Sequence, residues 1–189
     1  YFTKDIADYF YVGVMENYTL QGKTYEEVKM PQNGENATLS GWEFNVQQQL
    51  SFLPGPLSGL GVYANYTSTT SEAYYGSDRD KTTLPGQAGN TGNFSLSYET
   101  KKLSARFSYA LSDQYIVEVG DDADEDIYYE PANRIDISLS YDPMDNLTIL
   151  ADLMNVNNAP LGYFQGSSST PIQRELYGPS FRVGLQYDF

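Results

Sequence analysis

Phe181-Arg182-Val183-Gly184-Leu185-Gln186-Tyr187-Asp188-Phe189 is the stretch whose reading decides the fold. Apolar side chains occupy 181, 183, 185, 187 and 189, and polar or small ones occupy 182, 184, 186 and 188. Strict alternation of this kind is the period of a β-strand with two unlike faces. A terminal aromatic suits a strand whose outer face meets lipid, with the Phe189 ring at the bilayer interface, better than one whose end frays into water. An amphipathic edge strand of a soluble sheet has the same period and stands as the alternative.

The same alternation recurs upstream. In 40–52, Trp42, Phe44, Val46, Leu50 and Phe52 face one way and Glu43, Asn45, Gln47 and Gln49 the other, with Gln48 a lapse on the apolar side. Further strands are predicted over 60–70, 92–100, 103–111, 133–141 and 147–156, the last less regular because Leu150 falls on the polar side. Residues 1–39 read as the end of a strand, extended around Tyr9–Val12, followed by a long polar connection. The spacing thus predicts an all-β chain: an antiparallel up-and-down meander of about eight strands.

The connections carry more than any single strand. Counting back from Phe189 they alternate long and short: 157–178, 142–146, 112–131, 101–102, 71–91, 53–59, and the stretch before residue 40. Every second connection of a meander lies on the same rim. One rim therefore gathers tight turns, such as Leu53-Pro54-Gly55-Pro56-Leu57-Ser58-Gly59, and the other gathers long loops. Outer-membrane β-barrels sort their connections this way, whereas a soluble β-sandwich has no reason to.

Composition sets bounds. The 189 residues contain no Cys and no His, which excludes disulfide scaffolds, thiol nucleophiles, Cys/His zinc sites and Ser-His-Asp triads. The net charge of −14 argues against nucleic acid as a partner. Charged residues make up 19%, below the roughly 25% of ordinary soluble domains, and 18 tyrosines suit interfaces that need an apolar body and a wet tip. No run of about 18 apolar residues forms a transmembrane helix. A polar mean hydropathy does not exclude a barrel, whose strands are half apolar. Tyr1 begins abruptly with no leader, so the chain is expected to be a fragment.

With these residues in hand, the chain resembles the C-terminal part of the TonB-dependent outer-membrane receptors. The matching pieces are Gly34-Glu35-Asn36-Ala37-Thr38-Leu39-Ser40-Gly41-Trp42-Glu43, Leu53–Gly59 followed by Ala64-Asn65-Tyr66-Thr67, Leu84-Pro85-Gly86 before a strand, Asn155-Val156-Asn157-Asn158 ending one, and Tyr163-Phe164-Gln165-Gly166 before the last. The closing strand is similar to the C-terminal assembly signal of bacterial outer-membrane barrels, with Arg182 followed by Gly184 and hydrophobic Tyr187 and Phe189. The resemblance implies a barrel of about 22 strands closed by a plug. It imports a scarce nutrient, such as a siderophore or carbohydrate, with energy from the inner-membrane TonB complex. It implies no enzyme activity and no cofactor. The expected partners are the rest of the barrel and the plug, the TonB complex, the barrel-assembly machinery (through Arg182, Gly184, Tyr187 and Phe189), lipid and lipopolysaccharide, and the nutrient itself. Residues 1–189 are expected to be the C-terminal portion of such a barrel in the bacterial outer membrane, without plug or N-terminal strands. A small self-closed barrel with an adhesin or structural role, pairing residues near 1–12 with the last strand, and a soluble β-sandwich binding module are the alternatives.

Candidate sites follow from residue type. Tyr74, Tyr75, Tyr128, Tyr129, Tyr163 and Phe164 are loop aromatics able to stack on a flat ligand or to pack loop on loop. Asp121–Asp126 is an acidic loop without the Gly and terminal Glu spacing of an EF-hand, so a solvated loop is expected rather than a cation site. Arg106, Arg134, Asp136, Asp152 and Arg182 share the polar face as candidates for cross-strand ion pairs, and Asp152 and Arg182 are predicted to meet. The Asn-X-Ser/Thr triplets at Asn17, Asn36, Asn65, Asn93 and Asn146 read as composition, not as glycan sites.

Overall fold

A computed structural model describes residues 1–75, 79 and 81–189. The alternating segments join into one antiparallel sheet of eight strands, in the order β1 (Phe2–Ala7), β4 (Asn36–Gln49), β5 (Leu60–Ala73), β6 (Asn90–Glu99), β7 (Leu103–Ser112), β10 (Ala132–Met144), β11 (Leu147–Met154) and β14 (Ser180–Tyr187). The tight connections 50–59, 100–102 and 145–146 lie on one rim and the long connections 8–35, 74–89, 113–131 and 155–179 on the other, as the spacing predicts.

Three long connections are not plain loops. Residues before β4 form a hairpin, β2 (Phe10–Leu20) and β3 (Lys23–Asn33), turned through the left-handed backbone of Gln21 and Gly22. Its strands escape sequence reading because most of their length faces water on both sides, so nothing imposes an apolar alternation. The connections 113–131 and 155–179 contain β8 (Tyr115–Glu118), β9 (Ile127–Tyr129), β12 (Leu161–Gln165) and β13 (Pro171–Glu175). These pair into a second sheet in the order β13-β12-β9-β8, and at three to five residues each they are too short for a period to register. The break at 53–59 is a 3-10 helix, Gly55–Gly59, and the strand before it stops at Gln49, short of the expected Phe52.

The register places like with like across the main sheet. One row on the outer face runs Val62, Leu96, Phe107, Ile137, Leu153, Phe181. The row beside it on the inner face runs Gly61, Ser97, Arg106, Ser138, Asp152, Arg182. The outer face is uncovered, with Phe181 at 66% and Leu185 at 72% exposure. A continuous apolar surface of this extent aggregates in water and fits hydrocarbon. Tyrosines bound it at both rims. Tyr66 and Tyr109 direct their hydroxyls to Asn90 and Asn133 near the loop rim, at 2.8 and 3.1 Å, and the Asn146 amide donates to the Tyr187 hydroxyl at the turn rim, at 2.8 Å. On β10, Ile135, the partner of Tyr109, lies six residues from Tyr141, about 20 Å of strand. That is the scale of an outer-membrane apolar band flanked by aromatic girdles.

The buried core lies among the loops. Tyr11, Ala37, Ala73, Tyr75, Ile116 and Val119 form it, joining the hairpin, the tops of β4 and β5, the connection 74–89 and the loop sheet. Ala37 and Ala73 are register partners on the same face as Asn45 and Asn65, so the loops fold inward over the polar face. Tyr9 closes the edge of this core over Gly34, where an added Cβ would lie 2.1 Å from the Tyr9 ring. Among the described residues β1 pairs only with β4 and β14 only with β11, so the main sheet is open, and the closure that a small self-contained barrel needs is not formed. The second sheet stands at the rim and leaves the outer face bare, unlike the second layer of a sandwich.

Candidate functional site

Among the described residues the strands outside the main sheet gather on the loop rim, and tyrosines hold them together. Tyr75 meets the edges of Tyr9 and Tyr11 at 5.7 and 4.8 Å and donates its hydroxyl to the Thr83 carbonyl at 2.8 Å. Tyr11 donates to the Gln32 carboxamide at 3.1 Å, and Tyr9 to the Tyr74 carbonyl at 2.7 Å. Burial pushes the Tyr9 hydroxyl up to about 12 and raises that of Tyr75 further.

Alternation within the loop sheet divides the candidate aromatics. Phe164 and Tyr128 are register partners on one face and stack at 5.1 Å, and Phe164 is 2% exposed. Tyr163, Tyr129 and Tyr115 are register partners on the other face, half-buried, with centroids 5.3 and 5.2 Å apart along the row. Tyr75, at 9% exposure, and Phe164 thus pack loop on loop, while Tyr129 and Tyr163 keep an outward edge. Tyr74 lies outside the core under the Lys81 ammonium, 4.2 Å from its ring centre. Tyr115 was not singled out from sequence. Its signal is its register position opposite Tyr129, which becomes visible only once the two strands are paired.

The acidic loop is not uniformly solvated. Asp126 is 1% exposed, bound by the Arg79 guanidinium at 2.6 Å and by the Gly120 amide at 3.0 Å, which ties the connections 74–89 and 113–131 together. Asp121, Asp122 and Asp124 are exposed, and Glu125 folds back to accept the amides of Asp121 and Asp122. Among the described residues no three acidic side chains converge as a cation site would require.

On the inner wall Arg182 grips Asp152 with two nitrogens, at 3.0 and 2.7 Å, directly across β11 and β14, which meets the expectation that they approach. Arg134 instead pairs within its own strand, with Asp136 at 3.1 Å, and Arg106 makes no ion pair among the described residues. The residues of the closing strand divide between the faces. Arg182 and Gly184 face inward, and Tyr187 faces outward with Phe189 against its ring at 5.1 Å. A side chain at Gly184 would lie 3.7 Å from Leu150, an ordinary contact, so packing in this sheet does not demand glycine there.

Against these observations stand the comparisons with known proteins. The family model described as TonB-dependent receptor-like β-barrel matches residues 1–158. No curated protein matches the chain in sequence. Among solved structures, the copper transporter OprC superposes with a TM-score of 0.62 at 16% identity, over 98% of this chain and 27% of that one, a likeness that is one of fold. This chain therefore spans about a quarter of that protein's length. An open eight-stranded sheet with a lipid-fitting outer face, a polar inner face and sorted rims is a sector of such a barrel, and the chain belongs to the TonB-dependent receptor β-barrel family.

Proposed function

We propose that this chain is the C-terminal portion of a TonB-dependent transporter of the bacterial outer membrane. In that role it is a sector of the wall past which a plug-gated nutrient moves, and its loops help to capture that nutrient outside the cell. The observation that carries the proposal is the sorting of the rims. All of the folded loop structure stands on one side of an apolar band, and only tight turns stand on the other. The role is one of binding and passage. Tyr74 is exposed and Tyr128, Tyr129 and Tyr163 are half-buried, and these four are the ligand-contact candidates that keep accessible surface. The remaining barrel strands and the plug complete the structure, because backbone groups at an open sheet edge have no partner in hydrocarbon. Arg182, Gly184, Tyr187 and Phe189 are offered to the barrel-assembly machinery on the edge strand β14.

The test is uptake by cells carrying the full-length protein. Deleting its gene should abolish high-affinity uptake of one nutrient, and inactivating TonB should do the same. Uptake that persists without TonB refutes the transport assignment.

A further inference from the structure

We propose, resting on the transport reading above, that the nutrient is a neutral saccharide received in the cleft between the top of β5, residues 82–89 and the loop sheet. The cleft has a volume of about 540 Å³, within the roughly 300–1,000 Å³ of small-molecule sites. Among the described residues its walls are hydroxyls and carboxamides, including Ser71, Thr82, Thr83 and Gln87, with one carboxylate, Asp113, and no lysine or arginine. These groups are held in place. The Ser71 hydroxyl accepts the Leu84 amide at 2.9 Å and donates to Gln87 at 2.5 Å. One oxygen of Asp113 accepts from Asn90 at 2.6 Å, and the other makes no hydrogen bond among the described residues. Tyr115, on the edge strand of the loop sheet, lines the cleft and is braced from behind by Tyr129. A sugar ring presents C–H groups on its faces and hydroxyls around its rim. An aromatic edge among neutral donors and acceptors answers both.

Two further observations select against charge. Of the 25 acidic residues, 16 lie in the four long connections, against five of the 11 basic ones, so the rim carries most of the net −14 and repels anions such as ferric carboxylate chelates. Below the cleft a lane three strands wide on β5, β6 and β7 carries no charge, Thr67-Thr91-Ser112, Asn65-Asn93-Ala110, then Tyr63-Ser95-Ser108, and is flanked by Glu43 on β4 and by Arg134 and Asp136 on β10. Arg106 enters only in the next row. In the middle row the Asn65 side-chain Oδ1 accepts both the backbone amide and the side-chain amide of Asn93 at 3.1 Å, a hydrogen-bonding lane of neutral groups.

The experiment is calorimetric titration of the full-length protein in detergent with sucrose, maltotriose, xylotriose and cellotriose, and separately with ferric citrate and copper(II). The expected result is saturable binding of at least one saccharide, weakened about tenfold or more by Tyr115→Ala and several-fold by Gln114→Ala, and kept within about twofold by Tyr115→Phe, at unchanged melting temperature. Binding of none of the four saccharides, or saccharide binding indifferent to Tyr115→Ala in a folded protein, overturns the inference. Ferric citrate or copper binding alone, with TonB-dependent uptake of that ligand, overturns the saccharide and keeps the transport reading. Saccharide binding with TonB-independent uptake does the reverse.

Discussion

Asp126 and Arg79 form the one ion pair with both partners deeply buried among the described residues, and removing either side leaves a charge in the loop core. Breaking such a pair costs about 3–5 kcal/mol. Asp126→Ala should therefore speed hydrogen exchange of the Gly86 amide, which is held by the Ile116 carbonyl, by about 100-fold or more, while Asp121→Ala at an exposed position leaves it unchanged. Protection that survives the first substitution would show that the pair does not hold the loops. The buried tyrosines set a second expectation. Tyr9 is raised to about 12 in the folded loops, so its preference for the neutral form stabilises them fully below pH 10, fades between 10 and about 12, and is lost above. Tyrosinate absorbance in alkaline titration should contain a late group that reverts to the ordinary value of about 10 on unfolding. A single transition at that value in the folded protein would contradict the packing.

At the scale of the strand, face decides consequence. Phe107 lies in the middle outer row and Ser108 beside it on the inner face. Arginine at the bilayer midplane on the lipid side costs about 2–4 kcal/mol. Phe107→Arg should lower the amount of full-length protein recovered in the outer membrane, and Ser108→Arg should not. Loss with Ser108→Arg and not with Phe107→Arg would mean that the faces are assigned the wrong way round. The same asymmetry explains what could be read from the chain. Strands with lipid on one side must alternate, so Phe181–Phe189 and its counterparts were legible residue by residue, and Asp152 and Arg182, on the polar faces of consecutive strands, could be expected to meet, as they do. The hairpin over 10–33 met water along both faces and left no period to detect. In β9, Tyr128 and Tyr129 are adjacent, so one had to face the core and one the open side, but three residues do not reveal which. That choice is made by Phe164 and Tyr115 across the sheet, contacts that exist only after distant connections meet. Arg134 pairs along its strand and not across it because Asp136, two residues along the same face, brings a carboxylate to 3.1 Å.

The molecule as a whole is an incomplete wall with a finished roof. Its edge strands β1 and β14 await partners, and β14 ends at the turn rim on Tyr187, with Phe189 just beyond it against the Tyr187 ring. Deleting Phe189 from the full-length protein should reduce its outer-membrane level without changing the loop core some 30 Å of strand away; undiminished levels would remove the aromatic terminus from the assembly signal. The hairpin joins the loop core only at its base, where Tyr11 is buried and Gly13 bridges Val119, and its far end from Glu16 to Glu27 supports nothing else among the described residues. In the orientation proposed above its tip faces the cell exterior, and it is the part of the roof least constrained from within. Under pressure from phages or antibodies, lineages can rewrite the tip freely while the roof beneath it stays fixed, so variation among strains should pile up there and thin out abruptly at Tyr11.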